Sequence, residues 1–279
     1  MTVRGCLASL VVVAMLAALP AVAHPHHATS YHDWKPADPA NTLVIDTTKG
    51  RIFIELHPEM APQAVERIKM LARRGTYDGL LFHRVIAGFV AQTGDPGNHD
   101  GGKTELPNLA PEFTFRLQAD VARTVAARPA GLSEGFIGAM PYVSVSETAV
   151  PKHDDGSLYA WGTQCAGVFA MGRDEALDSA NSEIYLMLAS WPGLDHNYTP
   201  AGRIISGLDV VHSLSIGEPP AHPDAMIKVQ MLSDMADAPH IDVLDTQSKD
   251  FAGLIKQARA KRGADFSVCD IDVPYRIRP

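Results

Sequence analysis

Two short runs rich in β-branched and aromatic residues, TLVIDT at 42–47 and RIFIEL at 51–56, flank Thr48, Lys49 and Gly50. Their composition and the glycine between them predict a β-hairpin. The period then changes. After Pro58 and Pro62, the apolar positions Ala64, Val65, Ile68, Leu71 and Ala72 recur at helical spacing, which predicts a helix ending at Gly75. Farther on, 202–211 reads as a strand, a glycine and a short helix. The stretch 248–262 places Phe251, Leu254, Ile255 and Ala258 on one helical face, for which packing is the expected role.

The N-terminal pattern is of another kind. Met1 and Arg4 precede an apolar stretch at 7–19, and Ala21, Val22 and Ala23 form a small-residue cleavage site, so 1–23 reads as a secretory signal and His24 as the mature start. The apolar run is short for a membrane span, which needs about 20 residues. No span is expected once the signal is removed, and a periplasmic or secreted location follows. Residues 24–40, with His24, His26, His27 and His32, read as a flexible polar arm; a metal-scavenging tail is the alternative.

The chain has 279 residues, 46% of them hydrophobic, which is ample for a buried core and excludes disorder throughout. Its net charge is −8, and loss of Arg4 with the signal makes it −9. A chain so charged offers no basic face for nucleic acid or anionic lipid. Cys165 and Cys269 remain in the exported chain; an oxidising compartment would allow them to pair, and two separate thiols are the alternative.

The candidate chemistry is concentrated in FHRVIAGFVAQTGDP at 82–96, which sets Arg84 and Gln92 among Phe82, Val85, Ile86, Phe89 and Val90. A cation and an amide among apolar side chains pack a core poorly but line a pocket well. The run resembles the signature of the cyclophilin family of peptidyl-prolyl cis/trans isomerases and matches each of its fixed positions. The likeness extends to the glycine-rich stretch 97–103, to Pro111, Glu112 and Phe113, and to 167–173, 178–186, 193–199 and 202–211, with the last barrel strand at 226–232.

The resemblance implies a mostly β fold: a closed eight-stranded antiparallel barrel capped by two helices, spanning 41–234, with a C-terminal helical extension at 235–279. It also implies a long insertion at about 114–166, expected to be a partly ordered excursion rather than a second domain. By match to the family motif, Arg84 would donate to the prolyl nitrogen, and Gln92 would orient Arg84 or bind the substrate carbonyl. Phe89, Val90, Tyr185 and Leu194 would form the proline slot. Gly102, Gly172, Arg173, Glu183 and Tyr198 would complete the substrate groove.

An X-Pro bond isomerises slowly because its amide must give up resonance, at a barrier of about 18–20 kcal/mol. The twisted transition state places a lone pair on the prolyl nitrogen. A donor, an apolar slot and backbone anchors suffice, so no metal or cofactor is expected. His83, next to Arg84, is expected to pack or to make a buried hydrogen bond rather than to act as a base.

The chain departs from the family pattern at several positions. Glu183 stands for a usual Gln and could pair with Arg84; Val90 stands for Met, Arg173 for Asn, Tyr198 for His and Ala201 for Phe, and Gly193 stands where an aromatic residue often closes the pocket. The expected function is isomerisation of proline-containing segments in exported proteins. The alternative is a cyclophilin-like peptide-binding or chaperone module with little turnover.

Overall fold

The structure, a computed structural model, describes residues 33–146, 148 and 154–278. The signal-like segment and the four N-terminal histidines lie outside the described residues. Among the described residues no helix is long and apolar enough to cross a membrane.

The predicted hairpin forms as β2 (Thr42–Thr47) and β3 (Gly50–Leu56), paired antiparallel from Thr42 opposite Glu55 to Thr47 opposite Gly50. Both runs are buried almost continuously, the mark of a sheet covered on both faces. The sheet they belong to has eight strands, in the order β14 (Met226–Met231), β2, β3, β13 (Pro200–Ser206), β11 (Val168–Met171), β12 (Ile184–Met187), β5 (Val90–Thr93) and β4 (Arg84–Ile86).

The expected closed barrel is corrected here. The sheet curls, but β14 and β4 remain its edges. The segments around those edges meet through the isolated bridges Leu81–Ala225 and Val85–Gly217 and through backbone hydrogen bonds that join Gly79, Leu80 and Phe82 to Asp224 and Met226. Short β4, three residues long, runs out before a full ladder can form.

The predicted helix forms as α1 (Pro62–Arg73), closing the concave side of the sheet with Ala64, Val65, Ile68 and Leu71. Ala61 cannot cap it through its side chain. The Glu112 carboxylate does so from a distance, accepting from the N–H groups of Gln63 at 3.0 Å and Ala64 at 2.9 Å, which satisfies two orphan donors at the positive end of the helix. Residues 202–211 behave as expected: β13, Gly207 in the left-handed region at φ 95°, then α2 (Leu208–His212).

The insertion is more ordered than expected. It forms a five-stranded antiparallel sheet in the order β6 (Phe115–Leu117), β10 (Leu158–Gly162), β9 (Met140–Val145), β8 (Leu132–Ile137) and β7 (Thr124–Ala127). Residues 33–40, the described part of the expected arm, also depart from it, since β1 (Trp34–Pro36) pairs with β15 (His240–Leu244), whose other neighbour is β16 (Tyr275–Arg278). The extension is therefore partly β. Its helix α3 (Lys249–Arg262) matches the amphipathic stretch, with the Ser248 hydroxyl capping it by accepting from Phe251 N–H at 3.1 Å.

These additions cover the convex face of the eight-stranded sheet. Phe136 and Met140 of the insertion, Phe251 and Ile255 of α3, and Phe53, Val168 and Met187 of the sheet share one core. Phe136 and Phe251 meet edge to face, with centroids 5.1 Å apart. Cys165 and Cys269 form a disulfide, Cα atoms 5.1 Å apart, which fastens the extension to the residues just before β11.

An ion cluster around the buried His57 docks the insertion on β3. His57 Nδ1 lies 2.7 Å from Glu59 Oε1, and Nε2 lies 3.3 Å from Glu55 Oε2, an ion-pair contact. Glu55 Oε2 also accepts from Ala139 N–H at 2.7 Å, at the β8–β9 turn. Gly138 there has φ 53°, and a Cβ would sit 2.9 Å from both Glu55 and His57, so glycine is needed on both counts.

Burial alone pulls the His57 pKa down, but the charges and hydrogen bonds of Glu55 and Glu59 outweigh it and raise it to about 10. A pKa above the unfolded value means that charged His57 stabilises the fold fully below pH 6.5 and that this is lost as pH rises through about 10. Melting curves of the parent and of His57→Gln should therefore lie far apart at pH 6.5 and converge toward pH 10. A gap that does not change with pH would contradict a charged His57.

Candidate active site

Strand register assembles the site. Arg84 on β4 stands opposite Gln92 on β5, Gln92 opposite Tyr185 on β12, and Tyr185 opposite Ala170 on β11. Side chains alternate along a strand, so this cross-strand row points to the convex face, with Val90 two residues from Gln92 on the same side. Arg84, Gln92, Val90 and Tyr185 are thus brought together as expected.

Arg84 is held by two partners. Its Nε donates to Glu218 Oε2 at 2.8 Å, and one terminal nitrogen donates to Gln92 Oε1 at 3.1 Å. The other terminal nitrogen has no partner among the described residues. Gln92 faces both ways: its amide nitrogen donates to Asp100 Oδ1 at 2.8 Å and to Glu183 Oε1. The expected pairing of Glu183 with Arg84 does not form. Gln92 lies between them, so Glu183 reaches Arg84 only through the amide.

His83 makes the buried contact expected of it, with Nε2 3.0 Å from Glu183 Oε1. It precedes β4, so strand alternation does not govern it and its ring joins the cluster instead of pointing away.

The apolar side of the site is built from Val90 and Tyr185, both buried, and from the half-buried Phe89, Leu194 and Tyr198. Tyr185 and Tyr198 meet edge to face at 5.7 Å, and Phe89 packs edge-on to exposed Trp191 at 5.2 Å. Burial pushes the Tyr185 hydroxyl pKa up, so it stays protonated. Arg173 lies 4.6 Å over the Tyr198 ring and donates through Nε to the Asn197 carbonyl at 2.8 Å. It braces the Tyr198 wall by a cation–π contact and a backbone hydrogen bond.

The two glycines serve the frame as well. Gly102 N–H donates to Asp95 Oδ2 at 2.7 Å, and a Cβ there would come within 1.9 Å of that carboxylate. Gly172 N–H donates to the Glu183 carbonyl at 2.8 Å. Both donors are therefore engaged within the chain.

The insertion reaches the site through Asp195. Its carboxylate accepts from Gln164 N–H at 2.9 Å, Thr163 Oγ1 at 2.9 Å and Trp161 Nε1 at 3.3 Å, which pins the segment carrying Leu194 and Tyr198. Burial pushes the Asp195 pKa up, and those hydrogen bonds hold it back. Tyr159 and Trp161 of β10 also lie against His196, with centroids 6.1 and 4.3 Å away.

Three residues of the site were not singled out from the sequence: Glu218, Asp100 and Asp195. Glu218 arrives through the Val85–Gly217 bridge and Asp100 through the glycine-rich loop. Neither contact has a local sequence signal. Asp195 lay inside the segment expected to close the pocket, and an acid among Leu194 and aromatic neighbours was a usable hint.

Comparison with known proteins agrees with this geometry. The family model described as "Cyclophilin type peptidyl-prolyl cis-trans isomerase/CLD" matches residues 42–233. A "probable peptidyl-prolyl cis-trans isomerase" of Brucella suis is 32% identical over 214 residues, covering 71% of this chain and 86% of that protein. Its counterpart in Brucella abortus is 31% identical over the same shares. The crystal structure of cyclophilin AquaCyp293 from Hirschia baltica superposes with a TM-score of 0.80 at 33% identity, covering 88% of this chain and 93% of that one. The row of Arg84, Gln92 and Tyr185 lies within the matched region, and the chain belongs to the cyclophilin-type peptidyl-prolyl cis-trans isomerases.

Proposed function

We propose that this isomerase acts on proline-containing segments of exported proteins during their folding, with Arg84 stabilising the pyramidal prolyl nitrogen of the twisted amide. The observation that carries the reading is the state of the Arg84 guanidinium. Glu218 holds Nε and Gln92 holds one terminal nitrogen, so the other terminal nitrogen keeps its N–H donors for a substrate. A fixed, charged donor aimed where charge develops lowers a barrier without reorganising at the moment of reaction. Val90, Tyr185, Phe89 and Leu194 supply the apolar slot for the ring. The enzyme needs no nucleophile, because no covalent bond is made or broken.

Export is supported by the signal-like segment and by the Cys165–Cys269 disulfide, since such bonds persist in oxidising compartments. The test has two parts. The chain should accelerate cis-to-trans conversion of an Ala-Pro peptide at low temperature, where the uncatalysed step takes minutes, and the refolding of a proline-limited secreted protein. Fractionation of cells producing the full chain should recover a form beginning at His24 outside the cytoplasm. Full-length protein confined to the cytoplasm would overturn the export reading, and no acceleration by folded protein would overturn the catalytic one.

A further inference from the structure

Glu183 is 5% exposed, and a carboxylate buried to that degree needs compensation. Among the described residues no lysine or arginine pairs with it: Arg84 is turned to Glu218 and Gln92, and Glu183 meets only His83 and the neutral amide of Gln92. A second carboxylate, Asp100, converges on that same amide. One ligand atom each from His83, Asp100 and Glu183 lie within 4.8 Å of one another. Two carboxylates and an imidazole thus face a shared centre, and among the described residues no lysine or arginine pairs with either carboxylate.

The centre is accessible. A cavity of about 250 Å³ lined by His83, Arg84, Asp100 and Glu218 opens onto it, and Asp100 itself is exposed. Beside the acceptor-only Glu183 carboxylate Nε2 carries the proton; an ion at Nε2 would displace it to Nδ1, which is buried with no hydrogen-bond partner to hold the present tautomer. One imidazole nitrogen with two carboxylates suits zinc and similar borderline ions better than calcium or magnesium, which favour all-oxygen shells. An ion held at roughly 2.0–2.2 Å from each ligand would need the three to draw together by roughly an ångström or more. Exposed Asp100, on the glycine-rich loop, can supply that movement.

We propose that His83 Nε2 and the carboxylates of Glu183 and Asp100 form a site for a divalent transition-metal ion of the zinc class, and that its occupation silences isomerisation. The ion takes the place of the Gln92 amide nitrogen between the two carboxylates. Gln92 must then turn, and its Oε1 releases Arg84, which is left with Glu218 as its one holder. Binding rests on the cluster alone, while the effect on turnover rests on the proposed role of Arg84.

The test uses the full chain, folded and stripped of metal with EDTA, with Zn²⁺ and Co²⁺ as probes. Peptide isomerisation should fall at least tenfold with near-stoichiometric Zn²⁺ and return with EDTA. Asp100→Asn, at an exposed position, should shift the inhibiting Zn²⁺ concentration at least tenfold upward, as should His83→Gln if circular dichroism shows it folded. Co²⁺ should give visible absorption that Asp100→Asn weakens. A chain carrying His24→Ala, His26→Ala, His27→Ala and His32→Ala should keep both responses. Inhibition unchanged in Asp100→Asn, or lost with the four arm histidines, overturns the site. A metal-free chain that is active but insensitive to Zn²⁺ defeats this inference alone. If the metal-free chain is inactive, the reading of Arg84 fails, and Co²⁺ absorption still decides whether the site exists.

Discussion

Arg84→Ala is expected to lower kcat/KM on an Ala-Pro peptide by about 10²–10³-fold, the usual cost of deleting one donor to a developing charge. On the proposed reading the loss should fall on kcat, because the donor would be used in the transition state while Val90, Tyr185 and Leu194 would hold the ring. Arg84→Lys should also be impaired. A lysine ammonium carries its three donors on one nitrogen, whereas the planar guanidinium spaces its nitrogens so that two reach Glu218 and Gln92 and a third stays open. The position is half-buried at the sheet edge, so the fold should survive both changes, and circular dichroism checks it. Turnover unchanged in the alanine variant would remove Arg84 from the mechanism.

Breaking the disulfide is expected to produce the largest loss of stability. Cys165 and Cys269 are 104 residues apart in sequence, and a link across so long a stretch restricts the unfolded chain strongly. Native bridges of this kind contribute about 2–5 kcal/mol. Cys269→Ser, or reduction of the parent, should lower the thermal midpoint by several degrees, and reductant should have no further effect on the variant. Turnover at low temperature should persist, since neither cysteine touches Arg84 or Gln92. Identical melting curves with and without reductant would show that the bond contributes nothing.

Much of the fold was legible because its signals are local. The hairpin at 42–56, the helix after Pro62 and the amphipathic face of 248–262 each declare themselves within a short local stretch, and each formed where expected. The row of Arg84, Gln92 and Tyr185 was legible through resemblance, since strand register carries a motif into geometry. The insertion was not. Its strands are short, and the partners that bury them, such as Phe251 for Phe136, lie more than a hundred residues away. The same distance hid β1, whose strand character exists only because β15 is there to pair with it.

Glu183 shows the other limit. Its departure from the family pattern was visible, but its partner was not, because the choice between Arg84 and Gln92 depends on where Glu218 arrives from. A substitution read alone suggests a contact, whereas the competing acid that prevents the contact sits in a different part of the chain.

The convex core has a bearing on how the chain can be cut. The family model matches 42–233, but Phe53, Val168 and Met187 on those strands share one core with Phe251 and Ile255 of α3, which lie beyond that stretch. Trimming the chain to the matched residues would bare this apolar face to water, and exposed patches of that kind drive association. The smallest piece worth expressing is the sheet together with its cover.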